Sequence, residues 1–315
     1  MNDLDINKEL EQIISQSNDE EMNWEDFFSE NSASDEYDFV LLDDGKIEKI
    51  QPQVVRLKPL SAFGGTLSSC NDFEELLNTL GSLRMQGYKI LFRGHAKDSF
   101  TLASTIVRNH VKEYGQEKVV LEKVKSICKS RGYEKYKMDT FNDNLFYMSI
   151  GRHLGLYSRL LDWTASIDDA LAFLIEDKDD YLLHDGALWL LIYHQNEYRE
   201  ERNKDPFSIE DSRVHILRED YYIPDETIEF PIGIDRRYKQ HGFFTVQAEK
   251  YLDVPFEKMA RASGFELHKF IVPKETKQLL AMGNKLPLLS WLYGNQNEPI
   301  VSEVKRLNDM YDYRQ

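Results

Sequence analysis

Apolar residues return every three or four positions over residues 72–87, where Phe73, Leu76, Leu77, Leu80 and Leu83 share one face. That period predicts a helix, with Asn71 as its N-cap and Gly87 ending it. Residues 88–94 read as a short strand closing at Gly94. Helical patterns follow at 116–132, ending at Gly132, and at 139–155. Residues 157–164 then read as extended, and 166–175 as a helix. Ser166 suits its N-cap, Asp169 stands at the third helical position in the manner of a capping box, and Ala170, Phe173 and Leu174 face inward.

Period-two and continuous apolar runs dominate the second half. Residues 184–194 form a near-continuous apolar strand, 213–219 and 227–234 are shorter strand candidates, and 241–252 and 264–273 are extended. Residues 274–284 and 299–313 read as closing helices. Helices first and strands later predict an α+β fold, a mixed central sheet with flanking helices.

The N-terminal part follows different rules. Residues 4–17 carry a short amphipathic helical pattern, and 38–50 read as a hairpin turning at Asp44 and Gly45. Residues 1–45 hold fifteen Asp and Glu against one base, Lys8, a net −14 of the chain's −16. The remaining residues carry only −2. The expected organisation is therefore an acidic N-terminal arm over 1–45 and a globular domain over 46–315. Trp24, Phe27 and Phe28 lie amid the arm's acids. Such a segment docks on a surface, either folding over a cleft to compete with an anionic ligand and so regulate it, or recruiting a basic protein partner; a solvated, partly disordered tail is the other expectation. Phosphates repel the arm, so general nucleic-acid binding there is disfavoured, while the near-neutral body leaves nucleic acid open as an acceptor.

The 315 residues, 41% hydrophobic, suffice for one large domain or two small ones with a sizeable core. No apolar run is long enough to span a bilayer, and the N-terminus lacks a signal peptide's basic and apolar regions. Cys70 and Cys128 are too few for a disulfide framework and lack metal-ligand spacing. A cytoplasmic protein without a metal site is expected. His184-Asp185-Gly186 superficially suggests a metal pair, but reads as a turn before the strand. P-loop, dinucleotide fingerprint, zincin and nucleophile-elbow motifs are absent.

Three stretches set polar groups on rigid backbone. Arg93 ends an apolar strand before Gly94, which permits close backbone approach. An Arg there either projects a permanently charged fork into a cleft or stitches two elements through a carboxylate. Arg159, Asp162 and Trp163 form the second group. Buried charges need partners, so Asp162 is expected to pair with Arg159 or Arg93, while Trp163 offers a flat face to a ring. In the third, Gln240 and His241 precede an extended run and either bind a ligand or satisfy a turn.

In this order the stretches resemble the FRG domain family, whose name is spelled by Phe92-Arg93-Gly94. Leu102, Ser104, Thr105, Ile106 and Arg108 loosely match its next motif, with Arg108 expected to be structural. Its central signature is matched by His153, Gly155, Leu156, Arg159, Leu160, Leu161, Asp162, Trp163 and Thr164, and a later one by Arg236, Gln240, Gly242, Phe244 and Thr245. Arg152 stands where the family usually has Gln, and Tyr157-Ser158 where it has Pro-Thr. The resemblance covers roughly residues 60 to 290.

It implies a layout similar to the ADP-ribosyltransferase superfamily, and a bacterial toxin or phage-defence setting. NAD is then the substrate, used for ADP-ribosyl transfer or hydrolysis. Arg93 would hold the pyrophosphate, with Gly94 and Asp162 beside it. Trp163 would supply a nicotinamide platform, Thr164 or Ser166 a ribose or amide contact, and Gln240 would orient ribose or acceptor. Glu249, in a Gln-x-Glu element from Gln247, is the candidate catalytic carboxylate. The alternative is a non-catalytic module that senses a nucleotide or a partner.

Overall fold

A computed structural model describes residues 38–41, 47–50, 65–137, 141–175, 181–198, 200–218, 231–232, 234, 242–282 and 298–313. The chain divides into Met1–Gln51 and Pro52–Gln315. In the first unit β1 (Asp38–Leu41) pairs antiparallel with β2 (Ile47–Ile50), from Asp38 opposite Ile50 to Leu41 opposite Ile47. This is the expected hairpin. Its turn, the acidic residues 1–37, most of the strand candidate at 227–234, and Gln240 with His241 lie outside the described residues.

The second unit is α+β. Its strands are β3 (Tyr88–His95), β4 (Leu161–Thr164), β5 (Gly186–His194), β6 (Glu201–Arg202), β7 (His215–Arg218), β8 (Gly242–Val246) and β9 (Glu266–Val272). They form one mixed sheet in the order β6-β7-β8-β4-β3-β5-β9, antiparallel except for the β6–β7 pair. The helices are α1 (Cys70–Met85), the single turn α2 (Thr105–Arg108), α3 (Gln116–Ser130), α4 (Asp143–His153), α5 (Ile167–Leu174), α6 (Phe256–Ala262), α7 (Lys274–Met282) and α8 (Pro299–Arg306).

Helix α1 starts earlier than its apolar period implied. Ser69 is the N-cap: its hydroxyl accepts from the Asp72 N–H while the Asp72 carboxylate accepts from the Ser69 N–H, a closed capping box. Asn71 already lies inside the helix. The choice follows from reciprocity, since Ser69 has an acid three residues on. Ser166 caps α5 as expected, accepting from the Asp169 N–H. The box there stays open, because the Ser166 N–H donates to Thr164 Oγ1 and the Asp169 carboxylate also turns to Thr164.

One sheet face packs on α1 and α5. Leu76, Leu80 and Leu83 of α1, and Ala170, Leu171 and Leu174 of α5, meet Ile90 and Phe92 of β3 and Leu188, Leu190 and Ile192 of β5. Each of the leucines, isoleucines and Phe92 contributes roughly 2 kcal/mol by leaving water. Alternation sends Leu91, Arg93 and His95 to the other face. Among the described residues no helix is long and apolar enough to cross a membrane.

Candidate functional site

Strands β3 and β4 share a single paired position, Phe92 opposite Thr164. Beyond it the side chain of Arg93 takes over from the ladder. Its Nη1 donates to the Asp162 carbonyl at 2.6 Å and lies 3.6 Å from that residue's carboxylate. Its Nε donates to Nε2 of His95 at 2.9 Å. The third nitrogen, Nη2, has no partner among the described residues. The guanidinium is thus fixed in direction with one edge open, and 12% of the side chain is exposed.

Asp162 is not paired with Arg159. Its carboxylate accepts from Arg152 at 2.6 Å and is flanked by Arg93. Burial pushes this carboxyl up, but Arg152 and then Arg93 more than offset it, and its pKa falls below the usual carboxylate range. The cations feel their crowding too. Burial, followed by the like charges of Arg108 and Arg152 and against the pull of Asp162, pushes Arg93 down to about 10. Two arginines, Arg93 and Arg152, therefore share one carboxylate. Nε of Arg152 is buried with no hydrogen bond. This surplus of cations and donors suits an anion.

His95 is the neutral member. Burial, with Arg93 and Arg108 beside it, pushes its pKa down to about 2. Because Nε2 accepts from Arg93, the ring proton sits on Nδ1. Nδ1 makes no well-formed hydrogen bond, with the Phe100 backbone nearby.

Arg159 belongs to a second network. Its N–H and Nε donate to the Glu117 carboxylate at 2.8 and 2.5 Å, Nη2 donates to Glu249 at 3.1 Å, and the guanidinium lies over Phe207. Glu117 and Arg159 are almost fully buried. Of the two expected partners Asp162 takes Arg93, at 3.6 Å and beside the nearer Arg152, while Arg159 is held by Glu117 and Glu249. Glu249, the candidate catalytic carboxylate, is Arg159's outer partner and is not among the partners of Arg93.

Other expected site residues are occupied by the fold. Trp163 is 3% exposed, with Nε1 bonded to Thr245 Oγ1 and its ring packed at 5.9 Å on Phe256, so its faces are covered rather than open to a ligand ring. Thr164 is buried and bonded to Asp169 and Ser166. Ser166 caps α5. Gly94 lies against the backbone of α5, which accounts for the glycine without a ligand. His184-Asp185-Gly186 is a turn into β5, and Asp185 accepts from the Lys274 N–H. Among the described residues no three His, Cys, Asp or Glu converge as a metal site.

The sequence reading missed His95, Trp189, Lys269 and Glu257. His95 was findable, since residues two apart on a strand share a face. Trp189 hides in an apolar run and is recognised only from its register opposite Arg93. Glu257 opens α6. Burial raises its pKa, against its own N–H and the neighbouring Lys269 and Arg261. It forms no ion pair among the described residues.

The FRG domain model matches residues 88–181. That span runs from β3 through β4 and α5, and includes Phe92-Arg93-Gly94 and the Arg159–Thr164 run. This chain carries an FRG domain. The matched span is narrower than the 60 to 290 expected, and ends before Glu249 and Gln240. No curated protein and no solved structure matches the chain.

Proposed function

We propose that this FRG domain binds the diphosphate of NAD at Arg93, and that NAD is its substrate for ADP-ribosyl transfer or hydrolysis. One observation carries the binding: Arg93 and Arg152 share the single Asp162 carboxylate, and Nη2 of Arg93 has no hydrogen-bond partner among the described residues. The choice of NAD, and a toxin or phage-defence setting, rest on the family resemblance. Two free cysteines, Cys70 and Cys128, support a reducing compartment, the cytoplasm.

Cleaving the nicotinamide–ribose bond develops oxocarbenium character, which a carboxylate stabilises. Asp162 is engaged by Arg152 and Arg93, and Glu249 by Arg159. That engagement favours a second reading, a sensor that binds the nucleotide without turnover. For the enzyme reading, Glu257 offers a carboxylate with no ion pair among the described residues and a raised pKa.

Calorimetry with NAD, alongside chromatography of released nicotinamide, tests both. Arg93→Ala should weaken NAD binding at least roughly tenfold, as loss of a charge-assisted hydrogen bond does. Release above the blank supports the enzyme, and binding without release the sensor. An affinity indifferent to Arg93 would sink the proposal.

A further inference from the structure

Three side chains form one row across the sheet. Arg93 on β3 stands directly opposite Trp189 on β5, and Trp189 directly opposite Lys269 on β9. Cross-strand partners point to the same face. Strands lie about 4.8 Å apart, so the two cations flank the indole from backbones about 10 Å apart. Lys269 reaches back over the Trp189 ring, its Nζ 5.4 Å from the centroid, and donates to the Asp98 carbonyl.

Trp189 is 7% exposed, and its Nε1 has no hydrogen-bond partner. An indole N–H only donates, and a desolvated donor without an acceptor is costly. The fold therefore holds a buried donor on the strand position between those of two cations, with no acceptor supplied by the described residues. His95, next along the same face of β3, lies edge-on to Trp189 at 6.3 Å and its Nε2 accepts a hydrogen bond from Arg93 Nε. It is a positioning residue: it fixes the guanidinium so that Nη2 stays open. A row of two cations and one neutral donor asks for an acceptor-only group, an oxyanion, with more than one charged oxygen.

We propose that the Arg93–Trp189–Lys269 row seats the diphosphate of the bound nucleotide, with Trp189 Nε1 donating to a phosphate oxygen between the two cations. This rests on the nucleotide reading above and adds the contact residues that reading lacks.

The test uses the full chain, 15N-labelled at its indoles, titrated with ADP-ribose and separately with inorganic pyrophosphate. Trp189→Phe keeps an aromatic ring while removing the N–H together with part of the indole, and the indole resonance it deletes identifies Trp189. In the wild type that resonance should shift with both probes. Trp189→Phe should weaken ADP-ribose binding about tenfold while the remaining indole resonances keep their wild-type shifts, the loss of one hydrogen bond to a charged group in a fold that persists. Lys269→Gln should reduce the salt dependence of binding. If ADP-ribose binds in an Arg93-dependent way while the Trp189 resonance stays still and Trp189→Phe binds like wild type, the row is not the seat and the nucleotide reading survives. If neither probe binds the wild type, the nucleotide reading falls and takes this one with it.

Discussion

The carbonyl oxygen of Ala170 fills the space a side chain on Gly94 would need. A Cβ on Gly94 would lie 1.8 Å from that oxygen and 2.9 Å from the Leu174 nitrogen. Both are backbone atoms of α5, and close-packed backbone has little room to yield. The middle residue of the Phe-Arg-Gly motif thus stands beside a glycine that lets a helix press directly on β3. Gly94→Ala should push α5 from the sheet and destabilise the fold by about 3 kcal/mol or more. Urea denaturation measures this, and a change within about 0.5 kcal/mol would contradict so close a contact.

Glu117 and Glu249 hold the same arginine from opposite environments, and their substitutions should separate cleanly. Glu117 is fully buried, so Glu117→Ala leaves the Arg159 guanidinium without its main partner in the interior. Breaking a buried pair from one side costs about 3–5 kcal/mol. Glu249 is 46% exposed, and Glu249→Gln should cost about 1 kcal/mol or less. NAD binding and nicotinamide release should be unchanged in Glu249→Gln. A large loss of release with stability intact would restore Glu249 as a catalytic residue.

The elements of the second unit were legible because their periods are clean. The strand to Gly94, the helix ended by Gly132 and the long apolar strand β5 all follow from local pattern. Local signals also chose Asn71 over Ser69, since a cap is decided by which residue closes the box with Asp72. The site was legible only in part. Arg93 stood out as a charge at the end of an apolar strand. Its partners are set by which strands lie side by side, and no spacing within the chain reports that Trp189 faces Arg93. Proximity in sequence misled in the same way: Arg159 and Asp162 are three residues apart and serve different networks. Trp163 looked available because exposure is not written in a motif, whereas its register with β8 puts Thr245 at its indole N–H.

His95 should tie stability to mildly acidic pH. Its folded pKa is lowered to about 2, chiefly by burial and then by Arg93 and Arg108. An unfolded His takes its proton near pH ~6.5. Above that pH both states are neutral and the contribution is complete. Below it the unfolded chain binds a proton the folded one refuses, so stability falls as pH drops from about 6.5 toward 2. The slope approaches ~1.4 kcal/mol per pH unit. Between pH 7 and 5.5 the protein should lose roughly 1 kcal/mol, before carboxylates such as Asp162 begin to titrate. His95→Gln should flatten that stretch of the profile in urea melts. An equally steep profile in the variant would assign the slope elsewhere.

Glu257 separates the enzyme from the sensor. A carboxylate that stabilises a developing oxocarbenium must be ionised and must not already be neutralised by a close partner. Asp162 and Glu249 are both paired, while Glu257 is half-buried, has Lys269 and Arg261 as neighbouring cations, and titrates above the usual range because burial opposes its charge. Lys269 also lies over Trp189, which links Glu257 to the proposed diphosphate row. In the enzyme reading Glu257→Gln should lower nicotinamide release by about a hundredfold or more. ADP-ribose affinity should stay within about twofold, since no diphosphate contact is lost. Stability should hold or rise slightly, because a desolvated charge is replaced by a neutral amide of the same shape. The wild-type rate should fall as pH drops through the raised Glu257 pKa, and that limb should vanish from the residual rate of the variant. Glu257→Gln releasing nicotinamide at the wild-type rate would remove Glu257 from the mechanism and favour the sensor.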